Sequence, residues 1–402
     1  GWQETSHYRF KFKEMPIIAL ADKKGNPVTV SVDLPGRKVH ACVWMLQVGR
    51  VPLFLLDSNV EQNSPNDRHL TARLYSSDLD VRISQEILLG IGGVKALKKM
   101  GYDPSVWHMN EGHSAFLILE RVRDMVTGGL TFKEAAKEVR KTNVFTTHTP
   151  VSAGNDQFPL WLIDKYFSGT WEKLGLTRDQ FIKLGKQVQD WGETFSMPVL
   201  AIKLSAQTNA VSELHEQVAR KMWHFLWPRR SVEKVPIQHI TNGIHMSSWL
   251  ARRMRLLFNR YLGADWYEHI DDMELWKRID MIPDLELWDI RRHLKRKLIN
   301  FTIERAREHW TTGKRHPSHI IAEGVMLDQY SLTIGFARRF AAYKRAGLIF
   351  SDYERFLHLV TRKDMPVQII FAGKAHPADE PGKLLIQRVY RTAKDYRSHG
   401  RI

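Results

Sequence analysis

Short strand-like runs alternate with helical stretches along most of this chain, and that alternation points to an α/β fold built on parallel strands. SVWHMN (105–110) precedes AFLILERVRDMV, a helical run that Gly128-Gly129 ends. Thr131 and Glu134 have capping-box spacing before the next helix. NVFTTHT (143–149) is again a strand, Thr177 with Gln180 opens a further helix, and VPIQHIT (235–241) reads as a short strand. A charged helical stretch follows over roughly 247–310, with Leu287, Ile290, Leu294 and Leu298 at helical spacing. SLTIGFA (331–337) and VQIIFAG (367–373) look like two buried parallel strands with a helix between them. A last helix covers roughly 383–397, and a new strand begins at Arg401-Ile402. Ahead of all this, residues 27–56 read as β, broken by PGR and Gly49, and helix begins near Ser84.

A chain of 402 residues exceeds one ordinary core and suits two such domains. With 43% hydrophobic and 26% charged residues it has the composition of a globular protein. Cys42 is its only cysteine, so no internal disulfide forms. No apolar run approaches the ~18 residues of a membrane span, and a cytoplasmic protein away from membranes is expected. The net charge of +16 invites a nucleic-acid reading. The positive residues, however, are spread over 251–260 and 285–309, and no zinc-finger spacing or RNP motif accompanies them. No nucleic-acid partner is expected.

In open α/β sheets, ligands bind at the carboxyl ends of the strands, and polar clusters fall there. HMNEGHS (108–114) would place Asn110, Glu111 and His113 over a strand end, where free N–H groups of the following helix can meet sugar hydroxyls. The same residues would serve as helix caps. His108 and Glu111 lie across a strand-to-helix break and no further His or Cys completes a ligand set, so no metal is expected. In TTHTPVSAGNDQFP (146–159), His148 follows the strand and could donate to a sugar hydroxyl, or be a satisfied core histidine. In ITNGIHMSSWL (240–250), Asn242 can both give and accept a hydrogen bond, though Asn-Gly also makes ordinary turns. In GFARRFAAYKR (335–345), Arg338, Arg339 and Lys344 can grip a phosphate, a guanidinium fork beside an ammonium point charge. Positive charge at a helix start opposes the macrodipole, and a bound anion would offset that cost. FAGKAHPADEPGK (371–383) supports the same end through Gly373 and Lys374.

Taken in order, VWHMNEGHSAF, VFTTHTPVSAGNDQFP, ITNGIHMSSWL, GFARRFAAYKR and IIFAGKAHPADEPGK resemble the α-glucan (glycogen or maltodextrin) phosphorylases of the short bacterial type. The resemblance is collinear over essentially the whole chain. It implies two Rossmann-like doubly wound domains in the GT-B arrangement, pyridoxal 5'-phosphate, and retaining phosphorolysis of α-1,4-glucan by orthophosphate to glucose 1-phosphate. It further implies that His148 binds the transferred glucose at its 6-hydroxyl, that Asn242 contacts the same hydroxyl, and that Thr149 and the Val211 backbone contact that glucose. Arg339 and Lys344 match phosphate-site residues, and Arg338 stands where longer relatives have a lysine near the cofactor. Glu111 and His113 match residues on the acceptor-glucan side, where longer relatives carry Asp-Thr-His. On this resemblance His148, Asn242, Arg339 and Lys344 are expected to converge on one inter-domain crevice.

The expected organisation is residues 1–248 for the later part of the first Rossmann-like domain, 249–330 for a helical connection, and 331–402 for the start of the second. Both domains are then incomplete. The family's Schiff-base lysine belongs to an EASGT-type segment that is not among these residues, and its glycine-rich loop lies upstream of Gly1. The resemblance therefore implies that this polypeptide alone is inactive and binds no cofactor, and that the complete protein is active; it leaves a homo-oligomer open. Two rivals remain at this stage. A nucleotide-sugar glycosyltransferase of the glycogen or starch synthase kind also carries an Arg and a Lys five apart at that strand end. A non-catalytic glucan-binding fragment also fits.

Overall fold

The structure, a computed structural model, describes residues 12–74, 78–151, 154–190, 192–311, 327–376, 379–398 and 400–402. The opening GWQETSHYRFK, Ser152-Ala153 of the TTHT segment, residues 312–326 of the expected connection, and Pro377-Ala378 lie outside them. The chain divides into two compact units between Gly243 and Ile244. Each is taken by itself.

The first unit opens with an antiparallel sheet of β1 (Ile17–Ala19), β2 (Thr29–Leu34), β3 (Arg37–Val48) and β4 (Val51–Asp57). Alternation of apolar residues buries Val30, Val32 and Leu34 of β2 against Val39, Ala41 and Val43 of β3, in a register that sets Val32 opposite Val39. Pro35-Gly36 turns the hairpin, and Gly36 supplies the positive φ of 69° that the turn needs.

The rest of the unit carries β5 (Trp107–Asn110), β6 (Asn143–Thr146), β7 (Gln157–Pro159), β8 (Lys186–Gln189), β9 (Gly192–Ser196), β10 (Gln207–Ala210) and β11 (Gln238–His239). Four of these form one parallel sheet in the order β11-β10-β6-β5. Their carboxyl ends therefore lie along a single edge. The expected helices stand between them. The helix Leu117–Thr127 buries Leu117, Ile118, Leu119 and Val122 and is followed by Gly128. Phe132–Thr142 and Arg178–Gly185 open on full capping boxes at Thr131/Glu134 and Thr177/Gln180. The helix expected from Ser84 starts at Leu79, because the Asp78 carboxylate caps the amides of Asp80 and Val81.

The antiparallel sheet β7-β9-β8 was not foreseen from sequence. Its strands are short, and β8 (KQVQ) carries a single strand-favouring residue, Val188. Tertiary packing decides it. Phe195 of β9 stacks on Phe181 with centroids 5.9 Å apart, and Phe167 and Phe116 extend the ring cluster at 5.4 and 4.7 Å. A Cβ on Gly185 would come within 2.7 Å of the Phe195 ring, so only glycine lets the preceding helix pack there. Each of these buried rings contributes about 1.5–3 kcal/mol.

The second unit is helical over Arg252–Leu262 and Asp284–Thr311, then enters β12 (Leu332–Ala337) and β13 (Val367–Ala372), which pair in parallel. The crossover helix is Tyr353–Thr361, and Glu380–Ala393 follows β13, three residues earlier than the sequence suggested. Ile369 N donates to Arg401 O at 2.7 Å, so the chain returns beside β13 where a new strand was expected. One expectation fails. Of the two strands read as buried, β12 is open, with Leu332 61% and Ile334 42% exposed. Among the described residues it pairs only with β13, so one of its edges has no partner. Phe336, Phe340, Phe350, Phe356 and Phe371 build the core around the pair. No helix of the described residues is long and apolar enough to cross a membrane.

Candidate functional site

The carboxyl edge of the parallel sheet gathers most of the residues singled out from sequence. Asn110 ends β5, and Glu111 follows with φ 63° and ψ 178°, a backbone conformation rare for a residue with a side chain. The Glu111 amide donates to Thr146 O at 2.9 Å and continues the ladder, while its Oε1 accepts from the backbone amides of His148 and Thr149, the latter at 2.6 Å. The Glu111 carboxylate thus has protein partners already. His148 Nε2 pairs with Asn110 Oδ1 at 3.1 Å.

On the other side of the edge, Asn242 N donates to Val211 O at 3.1 Å and Ile240 N to Ala210 O at 3.0 Å, so Val211 and Asn242 stand together past β10 and β11. Ser212 caps the following helix by accepting from His215 N at 3.2 Å. The Asn242 side chain is exposed. His108, for which no metal role was expected, pairs its Nε2 with Thr146 Oγ1 at 2.6 Å.

His113 belongs to a buried charge cluster that sequence reading missed. Arg82 forks onto Asp156, with Nε 3.1 Å from Oδ1 and Nη2 2.7 Å from Oδ2. His113 Nδ1 is 2.6 Å from Asp156 Oδ2, and Glu86 Oε1 lies 3.1 Å from Arg82 Nη2. The usable signal was in the helix Leu79–Ile87, where Arg82 and Glu86 at i,i+4 sit among Ile83, Ile87 and Leu88, on a face too apolar for a solvated ion pair. Burial pushes the Glu86 carboxyl well above its usual range, against the opposing His113 hydrogen bond, and favours its neutral form. Asp156 is also penalised by burial, but hydrogen bonds from His113 and Arg82 outweigh this and hold it well below the ordinary carboxylate range. Burial opposes charge on His113, yet the Asp156 and Glu86 hydrogen bonds prevail and raise it to about 9. Glu86, His113 and Asp156 hold ligand atoms within 4.8 Å of one another, a spacing a metal ion could use. The guanidinium of Arg82 already supplies the cation there.

This cluster sets a pH dependence. A histidine raised from 6.5 to about 9 stabilises the fold fully below its unfolded value, and that contribution is lost as pH climbs through 9. Thermal melts between pH 6.5 and 9.5 are expected to show a falling midpoint, and His113→Gln should flatten that limb. An unchanged limb in the variant would place the titration elsewhere.

In the second unit, Arg338 and Arg339 leave β12 exposed, and Lys344 closes a 3-10 turn over Ala342–Lys344 with Nζ 4.8 Å above the Tyr343 ring. Arg345 then takes a left-handed φ of 57°. The two strand-end segments run side by side: Arg338 N donates to Ala372 O at 3.1 Å and Phe340 N to Lys374 O at 3.0 Å. Gly373 sits at that close approach, where a Cβ would fall 2.0 Å from Arg338 O. Among the described residues no carboxylate pairs with Arg338, Arg339 or Lys344.

Comparison with known proteins bears on this arrangement. The family description "carbohydrate phosphorylase" matches residues 93–399. The chain belongs to the carbohydrate phosphorylase family. A glycogen phosphorylase of Aquifex aeolicus is 40% identical over 402 residues, covering 100% of this chain and 58% of that protein. A maltodextrin phosphorylase of Thermococcus litoralis is 43% identical over 383 residues, covering 95% and 45%. A glycogen phosphorylase of Mycobacterium tuberculosis is 39% identical over 406 residues, covering 98% and 46%. The chain thus spans about half the length of the curated phosphorylases it matches. Mixed α/β units with parallel sheets are the architecture this family membership accompanies.

Proposed function

We propose that this chain carries glucose- and phosphate-binding parts of a cytoplasmic α-1,4-glucan phosphorylase of the GT-B arrangement, which transfers a glucosyl unit from glucan to orthophosphate with retention. The observation that carries the reading is the set of cations at the end of β12, Arg338, Arg339 and Lys344, left without acidic partners among the described residues. Such a set suits an anion with several acceptor oxygens. Membership of the carbohydrate phosphorylase family supports orthophosphate as that anion. The domain limits we propose are 1–248, 249–330 and 331–402.

In this reading the glycosidic C1–O4 bond breaks, a phosphate oxygen bonds C1, and the phosphate proton ends on the departing 4-hydroxyl. Arg339 and Lys344 hold the phosphate and compensate its charge as the bond forms. His148 hydrogen-bonds the 6-hydroxyl of the transferred glucose, and Asn242, with Thr149 and the Val211 backbone, fixes the same ring. Pyridoxal 5'-phosphate is the cofactor proposed for the complete protein. Arg338, exposed and without an acidic partner among the described residues, fits a phosphate-bearing group of this kind. When bound, its phosphate supplies a proton relay to orthophosphate.

The test is orthophosphate-dependent release of glucose 1-phosphate from maltooligosaccharide by the full-length protein. His148→Ala is expected to lower kcat/KM about 10- to 100-fold through loss of that hydrogen bond. Release of a nucleoside diphosphate from a nucleotide sugar, without phosphorolysis, overturns the proposal.

A further inference from the structure

Three consecutive residues, Glu111, Gly112 and His113, reach both ends of one connection. From the first, the carboxylate accepts from the amides of His148 and Thr149, immediately past β6. From the third, the imidazole meets Asp156 at 2.6 Å, immediately before β7. Gly112 between them is pressed on the helix Met197–Lys203: a Cβ there would lie 2.8 Å from Met197 Cβ and 2.9 Å from Pro198 Cδ. The same helix takes hold of the connection, since Met197 N donates to Asp156 O at 3.1 Å.

We infer that Glu111 and His113 form a two-ended clamp on the β6–β7 connection, Glu111 fixing its His148–Thr149 end and His113, with Arg82, fixing its Asp156 end. They are positioning residues. Three observations favour this over direct contact with a glucan chain. The Glu111 Oε1 atom is committed to two backbone donors, which are themselves fixed in direction. Glu111 holds φ 63°, a conformation that glycine would adopt more readily and that persists in a side-chain-bearing residue only where the surroundings demand it. The His113 ring is aimed at Asp156, which Arg82 already grips through both carboxylate oxygens. Gripping both ends from one rigid turn makes the position of His148 depend on β5 rather than on the connection's own stiffness.

The activity arm of the test rests on the proposed phosphorolysis; the exchange arm does not. Glu111→Gly removes the carboxylate and relieves the backbone at once, so loss of the fold is not expected to obscure the result. In the full-length protein, hydrogen exchange at the His148 and Thr149 amides should speed up about tenfold to a hundredfold, with core amides of β6 such as Phe145 unchanged. Glu111→Gln, which keeps an acceptor oxygen, should restore most of the protection. In phosphorolysis, Glu111→Gly should depress kcat while leaving KM for maltooligosaccharide within about twofold. Unchanged exchange at His148 and Thr149 overturns the clamp, as does a rise in KM alone, which would mark Glu111 as a glucan contact. Absence of phosphorolysis in the parent protein would sink the proposed function and leave the exchange result to judge the clamp.

Discussion

Replacing Asp156 with asparagine is expected to cost about 3–5 kcal/mol of stability, the usual penalty for removing one partner of a buried ion cluster. Asp156 accepts from Arg82 through both oxygens and from His113. Arg82 is 8% exposed and cannot shed its charge. Without the carboxylate, Arg82 keeps its charge beside a Glu86 whose neutral form burial favours, and His113 loses the hydrogen bond that chiefly raises it. Ionising Glu86 in its place is opposed by that group's own desolvation, and a buried guanidinium with less counter-charge is costly as well. The contrasting variant is Glu86→Gln. Because Glu86 already favours its uncharged form, an amide of the same shape should shift stability by only about 1 kcal/mol or less. For a unit of this size the Asp156 variant should lower the melting midpoint on the order of 10 °C. Calorimetry of the two variants side by side decides it. If Glu86→Gln is as damaging as Asp156→Asn, Glu86 is ionised and the charge assignment is wrong.

What the sequence could disclose followed from how local each signal was. Capping boxes at Thr131 and Thr177 are complete within four residues, and both formed as read. The strand ends that carry His148, Asn242 and Arg339 were legible because a β-rich run followed by Gly, Asn or Pro and then a helical pattern is a local event. The small sheet β7-β9-β8 was not, since its strands owe their state to Phe195 packing on Gly185 and Phe181 rather than to propensity. Nor was the charge cluster. Arg82, His113 and Asp156 are 31 and 43 residues apart in turn, and only tertiary structure tells an acidic residue in a loop from a buried counter-ion. Reading β12 as buried erred for a related reason: the apolar run SLTIGFA records that strand's pairing with β13 but not whether its other edge is covered.

Gly373→Ala should cripple the cationic strand end more than any single charge removal there. The added methyl would stand 2.0 Å from Arg338 O, 3.0 Å from Arg338 C and 3.2 Å from the Phe340 ring. The first of these atoms is backbone, so no rotamer change relieves the contact. The backbone of Gly373 also has φ 156°, at the margin of what a side-chain-bearing residue tolerates. Relief requires the Arg338–Phe340 segment to move away from Gly373, against the hydrogen bonds Arg338 N to Ala372 O and Phe340 N to Lys374 O that flank it. The expected cost is about 3 kcal/mol, at the upper end of overpacking substitutions. If the proposed function holds, a displacement of about 1 Å at Arg338 and Arg339 should also weaken orthophosphate binding or turnover of the full-length protein about 100-fold. Gly335→Ala provides the control, since it lies in β12 of the same sheet and its Cβ would meet nothing within 4 Å. Melting midpoints and orthophosphate titrations of the two variants give the comparison. Equal behaviour of Gly335→Ala and Gly373→Ala would mean that the close approach of Gly373 to Arg338 does not hold the cationic arm, and that Arg339 and Lys344 owe their placement to the turn at Arg345 instead.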